Sequence, residues 1–202
     1  MARIPETYRS LRLNDFHTSL YTDQNDAKRI YDAIKGFWDN FMDYKAEGEG
    51  LYLFSRTKGS GKTMAAICLV NEIMEKYEIR AHFTTSTDII NEIRRTWDEK
   101  GLSESKLIDK LIMVPILVID DFGTERIADW VNERYFQIVN RRYNDKRMTI
   151  YTSNYPLEEL GYDERITERV LDRTTAIQFP EDNIRRKLKE EKIIRRQKGQ
   201  GK

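Results

Sequence analysis

Hydrophobic positions along this chain switch between two periods, and the switches mark out its elements. Ala27, Ile30, Tyr31, Ile34, Phe37, Trp38 and Phe41 recur at helical spacing and predict one amphipathic helix of about 20 residues. Its aromatic stripe is core rather than a cofactor box. KAEGEG, over 45–50, reads as a turn into an apolar strand over 51–55. A helix running to Tyr77, a strand over 81–85 and helices over 87–98 and 103–112 follow. The most apolar strand, 116–119, is apolar on both faces. A long helix over 128–145 then feeds a strand over 149–152, and after two short helices a last strand covers 176–179. Such alternation predicts an α/β fold, a five-stranded parallel sheet covered by helices on both sides. Residues 1–22 lack a sustained period and are expected to pack on the domain as an extended segment. The domain itself spans 23–180. Residues 181–202 form a basic helix or tail, with 198–202 expected to be disordered.

Composition adds limits to this picture. A length of 202 residues with 39% hydrophobic residues suits a single domain with a full-sized core. The longest uncharged apolar run, 111–119, is too short to span a bilayer, so no membrane association and a cytoplasmic location are expected. Cys68 is the only cysteine, which excludes an internal disulfide or a cysteine-rich zinc site. The net charge of +1 hides an uneven distribution: residues 184–202 carry nine Lys or Arg against two Glu, a net of +7, and the rest sums to −6. That tail reads equally as a nucleic-acid contact and as a solvated terminal helix.

Chemistry concentrates in four places. LYLFSRTKGSGKT (51–63) is a strand, a Gly-rich turn and a helix start. There Lys58, Gly59, Ser60, Gly61, Lys62 and Thr63 would cradle the phosphates of a nucleoside triphosphate through backbone N–H groups. Lys62 would reach the outer phosphates, and Thr63 would sit on Mg²⁺. Arg56 stands where G-x-x-x-x-G-K-[ST] has its first Gly, leaving open an added phosphate contact or a distorted loop. ILVIDDFG (116–123) ends a buried strand in two carboxylates: Asp120 suits the metal, and Asp121 suits orienting and deprotonating a water. MTIYTSN (148–154) ends in Asn154, which could hydrogen-bond that water or the outer phosphate. Finally, Arg165, Arg169 and Arg173 recur every four residues. They are either an ion-paired surface helix or the source of an arginine that reaches a neighbouring subunit's triphosphate.

In this order and spacing, SRTKGSGKT, ILVIDDFG, YTSN and ERVLDR resemble the ATPase domain of bacterial replicative helicase loaders, the DnaC/DnaI type of AAA+ protein. IPETYRSLRLNDF (4–16) resembles the segment opening that domain. The resemblance runs from about Ile4 to Phe179. It implies a three-layer P-loop NTPase fold with Lys62 and Thr63 as Walker A residues and Asp120 and Asp121 as the Walker B pair. Asn154 becomes sensor 1, Arg173 the arginine finger and Arg169 the second candidate. It further implies an ATPase of DNA replication that self-associates through the finger and binds a hexameric replicative helicase and single-stranded DNA. Thr85, Ser86, Arg94 and Arg95 are the candidate DNA contacts, with solvated helix charges as the alternative for the two arginines. Without aromatic residues interleaved among them, phosphate contacts with little sequence preference are expected. Two departures qualify the resemblance. Asp121 stands where many AAA+ proteins have Glu, which implies slow hydrolysis. Only three residues precede Ile4, where loaders usually carry an N-terminal helicase-gripping domain, so either an isolated ATPase domain or a minimal version of the loader is expected. Arg185 or Arg186 is the candidate for sensor 2. An IstB-like transposition helper shares all four motifs. A small-molecule kinase would share the phosphate loop but would need an acceptor site and a lid.

Overall fold

Five short strands carry the apolar runs: β1 (Gly50–Phe54), β2 (Ala81–Thr85), β3 (Ile116–Asp120), β4 (Met148–Ser153) and β5 (Thr174–Gln178). The computed structural model describes residues 4–99 and 101–199, with side chains to residue 194. All strand pairs are parallel, in the order β2-β3-β4-β1-β5. Strand β4 therefore lies between the strand leading into the phosphate loop and the strand ending in Asp120. All C-terminal strand ends share one edge, where ligands bind in open α/β sheets.

Alternation along the strands splits the core into two layers, because successive side chains point to opposite faces. Leu51 and Leu53 join Ile116 and Val118 on the face covered by helices α1 (Gln24–Asp39) and α3 (Lys62–Tyr77). Tyr52, Leu117 and Ile119 face the other layer. That layer is built from α4 (Ser86–Asp98), α5 (Glu104–Met113), α6 (Asp129–Asn144) and α7 (Glu164–Asp172). Cys68 is fully buried in the first layer, and burial pushes its thiol up to about 12, as befits an inert core residue. Among the described residues, no helix is long and apolar enough to cross a membrane.

Several predicted boundaries move. The single first helix is two, because α1 stops at Asn40 and α2 (Phe41–Glu47) restarts in a new direction. Both the backbone N–H and the side-chain amide of Asn40 donate to the Gly36 carbonyl, so the side chain competes for the helix's own acceptor. Helix α2 then continues into the predicted turn and ends at Gly48, in the left-handed region at φ 71°. A Cβ there would lie 2.5 Å from the Lys146 carbonyl carbon, so only glycine fits. Strand β5 begins two residues before its predicted start, at Thr174 and Thr175. These are β-branched residues on a half-exposed edge strand, where apolarity is a poor guide. Helix α8 (Ile184–Gly199) covers the basic segment, so residues 198 and 199, expected to be disordered, are helical; 200–202 lie outside the described residues.

Arg142 was invisible as a core residue. It is 1% exposed, and its guanidinium donates to the carbonyls of Leu111, Ile112, Val114 and Met148 and to Thr149 Oγ1. Burial lowers its pKa to about 9. Five oxygen acceptors and the negative end of α5 take the place of a carboxylate, tying α5, α6 and β4 together.

Candidate nucleotide-binding site

The phosphate loop needs glycine at two positions, and they are not the one that Arg56 occupies. Gly59 and Gly61 have φ of 78° and 100°, whereas Arg56 is not among the positive-φ residues. Neither reading of Arg56 as a phosphate contact nor as a distorter of the loop matches its placement. Its N–H donates to Glu181 (3.0 Å), and its guanidinium pairs with both carboxylate oxygens of Glu159, on the 3₁₀ turn Leu157–Glu159. A Cβ on Gly61 would approach the Tyr21 hydroxyl to 2.4 Å. That buried hydroxyl donates to the Ser60 carbonyl at 2.7 Å, so the segment 4–22 supports the loop. It does so through three 3₁₀ turns rather than a plain extended run. Helix α8 closes the other side: the Arg185 N–H donates to the Gly59 carbonyl, and Asp182 joins Thr22 to Lys187. Arg185 thus stands at the loop, while Arg186 turns away to Glu190.

The Lys62 ammonium is largely withdrawn from solvent and donates to Ser55 O, Thr57 O, Ser60 Oγ and Asn154 Oδ1, each at 3.2 Å. Burial lowers its pKa, opposed by the carboxylates of Asp121, Glu181 and Asp120. Those neutral acceptors are ones an anionic ligand would outcompete. At the end of β3, Asp120 Oδ1 accepts from Thr63 Oγ1 (2.7 Å) and from Thr152 Oγ1 (2.6 Å). The same Thr152 oxygen accepts the Asp121 N–H at 3.0 Å. Thr152 therefore holds both acids in register, a role its mid-strand position gave no sign of. Burial raises the Asp120 pKa, with the two hydroxyls opposing it.

Asp121 sits at φ 53°, a conformation strained for a non-glycine residue. Phe122 fixes that turn: it is fully buried against Tyr135, Tyr151 and Tyr162, and its N–H bonds to the Thr152 carbonyl. The Asp121 side chain is left exposed at the mouth of the site. Sequence reasoning thus brings together Lys62, Thr63, Asp120, Asp121 and Asn154, with Lys58 to Gly61 forming the loop between β1 and α3. Among the described residues no three His, Cys, Asp or Glu side chains cluster as a metal site. A Thr hydroxyl beside one carboxylate suits Mg²⁺, which keeps several waters and takes the rest of its ligands from phosphate oxygens.

The arginines are not brought to this site. Gly50 N bonds to the Arg173 carbonyl, where β5 begins, placing Arg173 at the opposite end of the sheet from the loop. Its guanidinium donates to the Glu47 carbonyl (2.8 Å) and lies over Tyr143. Arg169 donates to Asn140 and to the Arg165 carbonyl, over Phe136. Within one chain neither can reach a nucleotide.

The four candidate DNA contacts also separate. Ser86 is fully buried, its hydroxyl taken by Glu125 (2.6 Å) and Tyr135 (2.5 Å), so it is withdrawn as a contact. Thr85 caps α4 through Asp88 N, Arg95 pairs with Glu99, and Arg94 lies over the Trp130 ring.

The Glu125 carboxylate beneath Ser86 gives the site a pH signature. Tyr162 and Ser86 donate to it, yet burial, the largest influence, raises its pKa above the ordinary 4.5. A raised carboxyl pKa means that the folded state binds a proton the unfolded chain has released. Stability from this group is therefore complete below about pH 4.5 and falls as pH climbs through the folded-state value. Glu125→Gln should abolish that decline. We expect the variant to melt above the parent at pH 8 and to lose that advantage near pH 4.5. Equal melting temperatures at pH 8 and pH 4.5 in both proteins would refute the assignment.

Known proteins agree with this geometry. A profile of the family described as IstB-like ATP binding protein matches residues 7–192. The chain is 32% identical over 122 residues to the replicative helicase loader DnaC of Escherichia coli (strain K12), covering 60% of this chain and 49% of the relative. To the loader DnaI of Bacillus subtilis (strain 168) it is 26% identical over 117 residues, covering 57% and 36%. It thus spans about half the length of the first relative and about a third of the second. A crystal structure of the DnaC helicase loader superposes with a TM-score of 0.74 at 27% identity, covering 87% of this chain and 100% of that one. The fold is that of an AAA+ P-loop domain, and the chain belongs to the IstB-like ATP-binding family, with replicative helicase loaders among its homologues.

Proposed function

We propose that this domain hydrolyses ATP and uses the cycle to load a hexameric replicative helicase onto single-stranded DNA. The observation that carries this reading is the convergence of Lys62, Thr63, Asp120, Asp121 and Asn154 at the C-terminal ends of β1, β3 and β4. In that arrangement Lys62 leaves its neutral acceptors for the β- and γ-phosphates, and loop N–H groups hold the rest of the chain of phosphates. Magnesium, held by Thr63 and Asp120, would screen the triphosphate charge. The Asp121 carboxylate receives the proton of the attacking water, and the Asn154 amide, released from Lys62, orients that water or the γ-phosphate. Hydrolysis is slow in one isolated chain because neither Arg169 nor Arg173 of that chain approaches the phosphates. Assembly supplies Arg173, with Arg169 in reserve, from a neighbour. Arg185, fixed to Gly59, is the better sensor 2 candidate.

Lys62→Ala should weaken ATP binding by about 10–100-fold, the loss that follows from removing a charged hydrogen-bond donor. Isothermal titration measures it, and unchanged affinity would remove Lys62 from the site. The family description favours a second reading, an ATPase that assists a transposase. Capture of a hexameric helicase or of a transposase on immobilised, ATP-loaded protein separates the two.

A further inference from the structure

Two tryptophans far apart in sequence form one surface feature that the mechanism above does not use. Trp97, in the last turn of α4, and Trp130, in the first turn of α6, meet edge to face with ring centroids 4.8 Å apart. Trp97 is 53% exposed. An indole so exposed is ordinarily free to turn, but here it is held. Its N–H donates to Glu104 Oε2 at 2.8 Å, and the other oxygen of that carboxylate is bound by Arg134. Arg94 adds a guanidinium over Trp130, 5.3 Å from the ring centroid, and has no ion-pair partner among the described residues. Two of the negative charges nearby are paired, Glu99 with Arg95 and Glu104 with Arg134.

We infer that Trp97 and Trp130, framed by Arg94, form a stacking platform for the bases of single-stranded nucleic acid. The inference rests on the proposed DNA-binding role and makes it specific, because it adds base contacts where phosphate contacts alone were expected. A rigid aromatic face with a free arginine beside it matches what an unstacked base and its phosphate present. Protein docking fits less well. Two rings bury at most about 250 Å² each, against roughly 800 Å² per partner in a stable interface, and the flanks are charged. The position is also apt: Trp130 opens α6 directly after the loop that leaves Asp121, and that loop is bound through Glu125 to Ser86 at the start of α4. A base seated here would press on both helices that frame the catalytic turn.

The test uses Trp38→Phe protein, excited at a wavelength selective for indole, so that Trp97 and Trp130 are the only tryptophans reporting. It is titrated with a thymidine oligonucleotide and with an abasic strand of the same length, across salt concentrations. We expect fluorescence quenching by the first strand and at least 5-fold tighter binding than to the second. Trp97→Leu, which keeps an apolar side chain but no π face, should lose about 5–100-fold in affinity with the salt dependence unchanged. Arg94→Ala should lower the salt slope by about one. Trp97→Phe should retain most of the binding, which guards against misfolding of the leucine variant. Equal affinities for thymidine and abasic strands, or for Trp97→Leu and the parent, would overturn the platform while leaving DNA binding intact. Failure of the parent to bind any strand would overturn the DNA-binding reading and the platform with it. Undiminished DNA binding with lost helicase capture in Trp97→Leu would reassign the surface to protein docking.

Discussion

Asp121→Asn is expected to bind ATP as the parent does and to hydrolyse it about 10²–10⁴-fold more slowly, the usual worth of a positioned general base. Asparagine is nearly the same shape and keeps the backbone N–H that bonds to Thr152, and it tolerates the left-handed φ of 53° better than most residues. The turn therefore survives while the carboxylate's capacity to accept a proton is lost. Asp120→Asn differs, since Asp120 accepts two hydroxyl donors and faces the metal position; metal-dependent affinity should fall along with turnover. Single-turnover hydrolysis beside equilibrium ATP binding separates the two acids. Unchanged turnover in Asp121→Asn would show that another group activates the water. Glu125 is the nearest alternative on the same loop, but its carboxylate is engaged by Ser86 and Tyr162. It is part of the scaffold, not of the mouth.

Much of this site was legible in the sequence because its groups sit at the ends of strongly patterned elements. An apolar run, two glycines and Lys-Thr fix a strand, a loop and a helix start by local chemistry alone. Asp120 and Asp121 follow a strand apolar on both faces, so their position at the sheet's edge followed from the strand. Strand order was not legible. Asn154 approaches Lys62 because β4 is inserted between β1 and β3, a consequence of tertiary packing. The same limit hid Thr152, which looked like one of several β-branched residues, and Arg142, which has the sequence context of a surface helix.

Ser86 and the two tryptophans show the opposite failure. Ser86 follows Thr85 at the end of a strand and reads as exposed, but the start of α4 turns it inward onto Glu125. Trp97 and Trp130 are 33 positions apart, and only the tertiary fold, in which α5 packs against both α4 and α6, makes them neighbours. Trp97 stands shortly after Arg94 and Arg95 in the sequence, but nothing there points to Trp130 as its neighbour. Arg56 misled for a narrower reason: the motif records which residue usually stands there, and the backbone shows that φ at this position makes no demand for glycine.

Arg173→Ala should bind ATP normally and lose about 10³-fold or more in assembled turnover, the range for a supplied arginine. The position dictates the form of the test. Arg173 lies at the end of the sheet away from its own phosphate loop, directly after helix α7 and near the exposed Leu171 (58%) in sequence, so it can act only on a neighbour's nucleotide. Such a head-to-tail contact joins two different surfaces, the loop of one chain and the α7 end of the next. Mixing Arg173→Ala with Lys62→Ala protein then makes a distinctive prediction. Each variant alone is inactive, but an interface whose loop comes from the first and whose arginine comes from the second is intact. In a random equal mixture about one interface in four has that composition, so roughly a quarter of the parent's turnover returns. An arginine acting within its own chain, or one that merely holds α7 to Glu47 and Tyr143, gives a mixture as inactive as its components. The second case would also lower the melting temperature of Arg173→Ala, because the guanidinium's bond to the Glu47 carbonyl and its contact with Tyr143 are lost together. Recovery of activity on mixing, with Arg173→Ala melting near the parent's temperature, would assign Arg173 to a neighbour's site; a dead mixture would leave Arg169, on α7, as the remaining candidate.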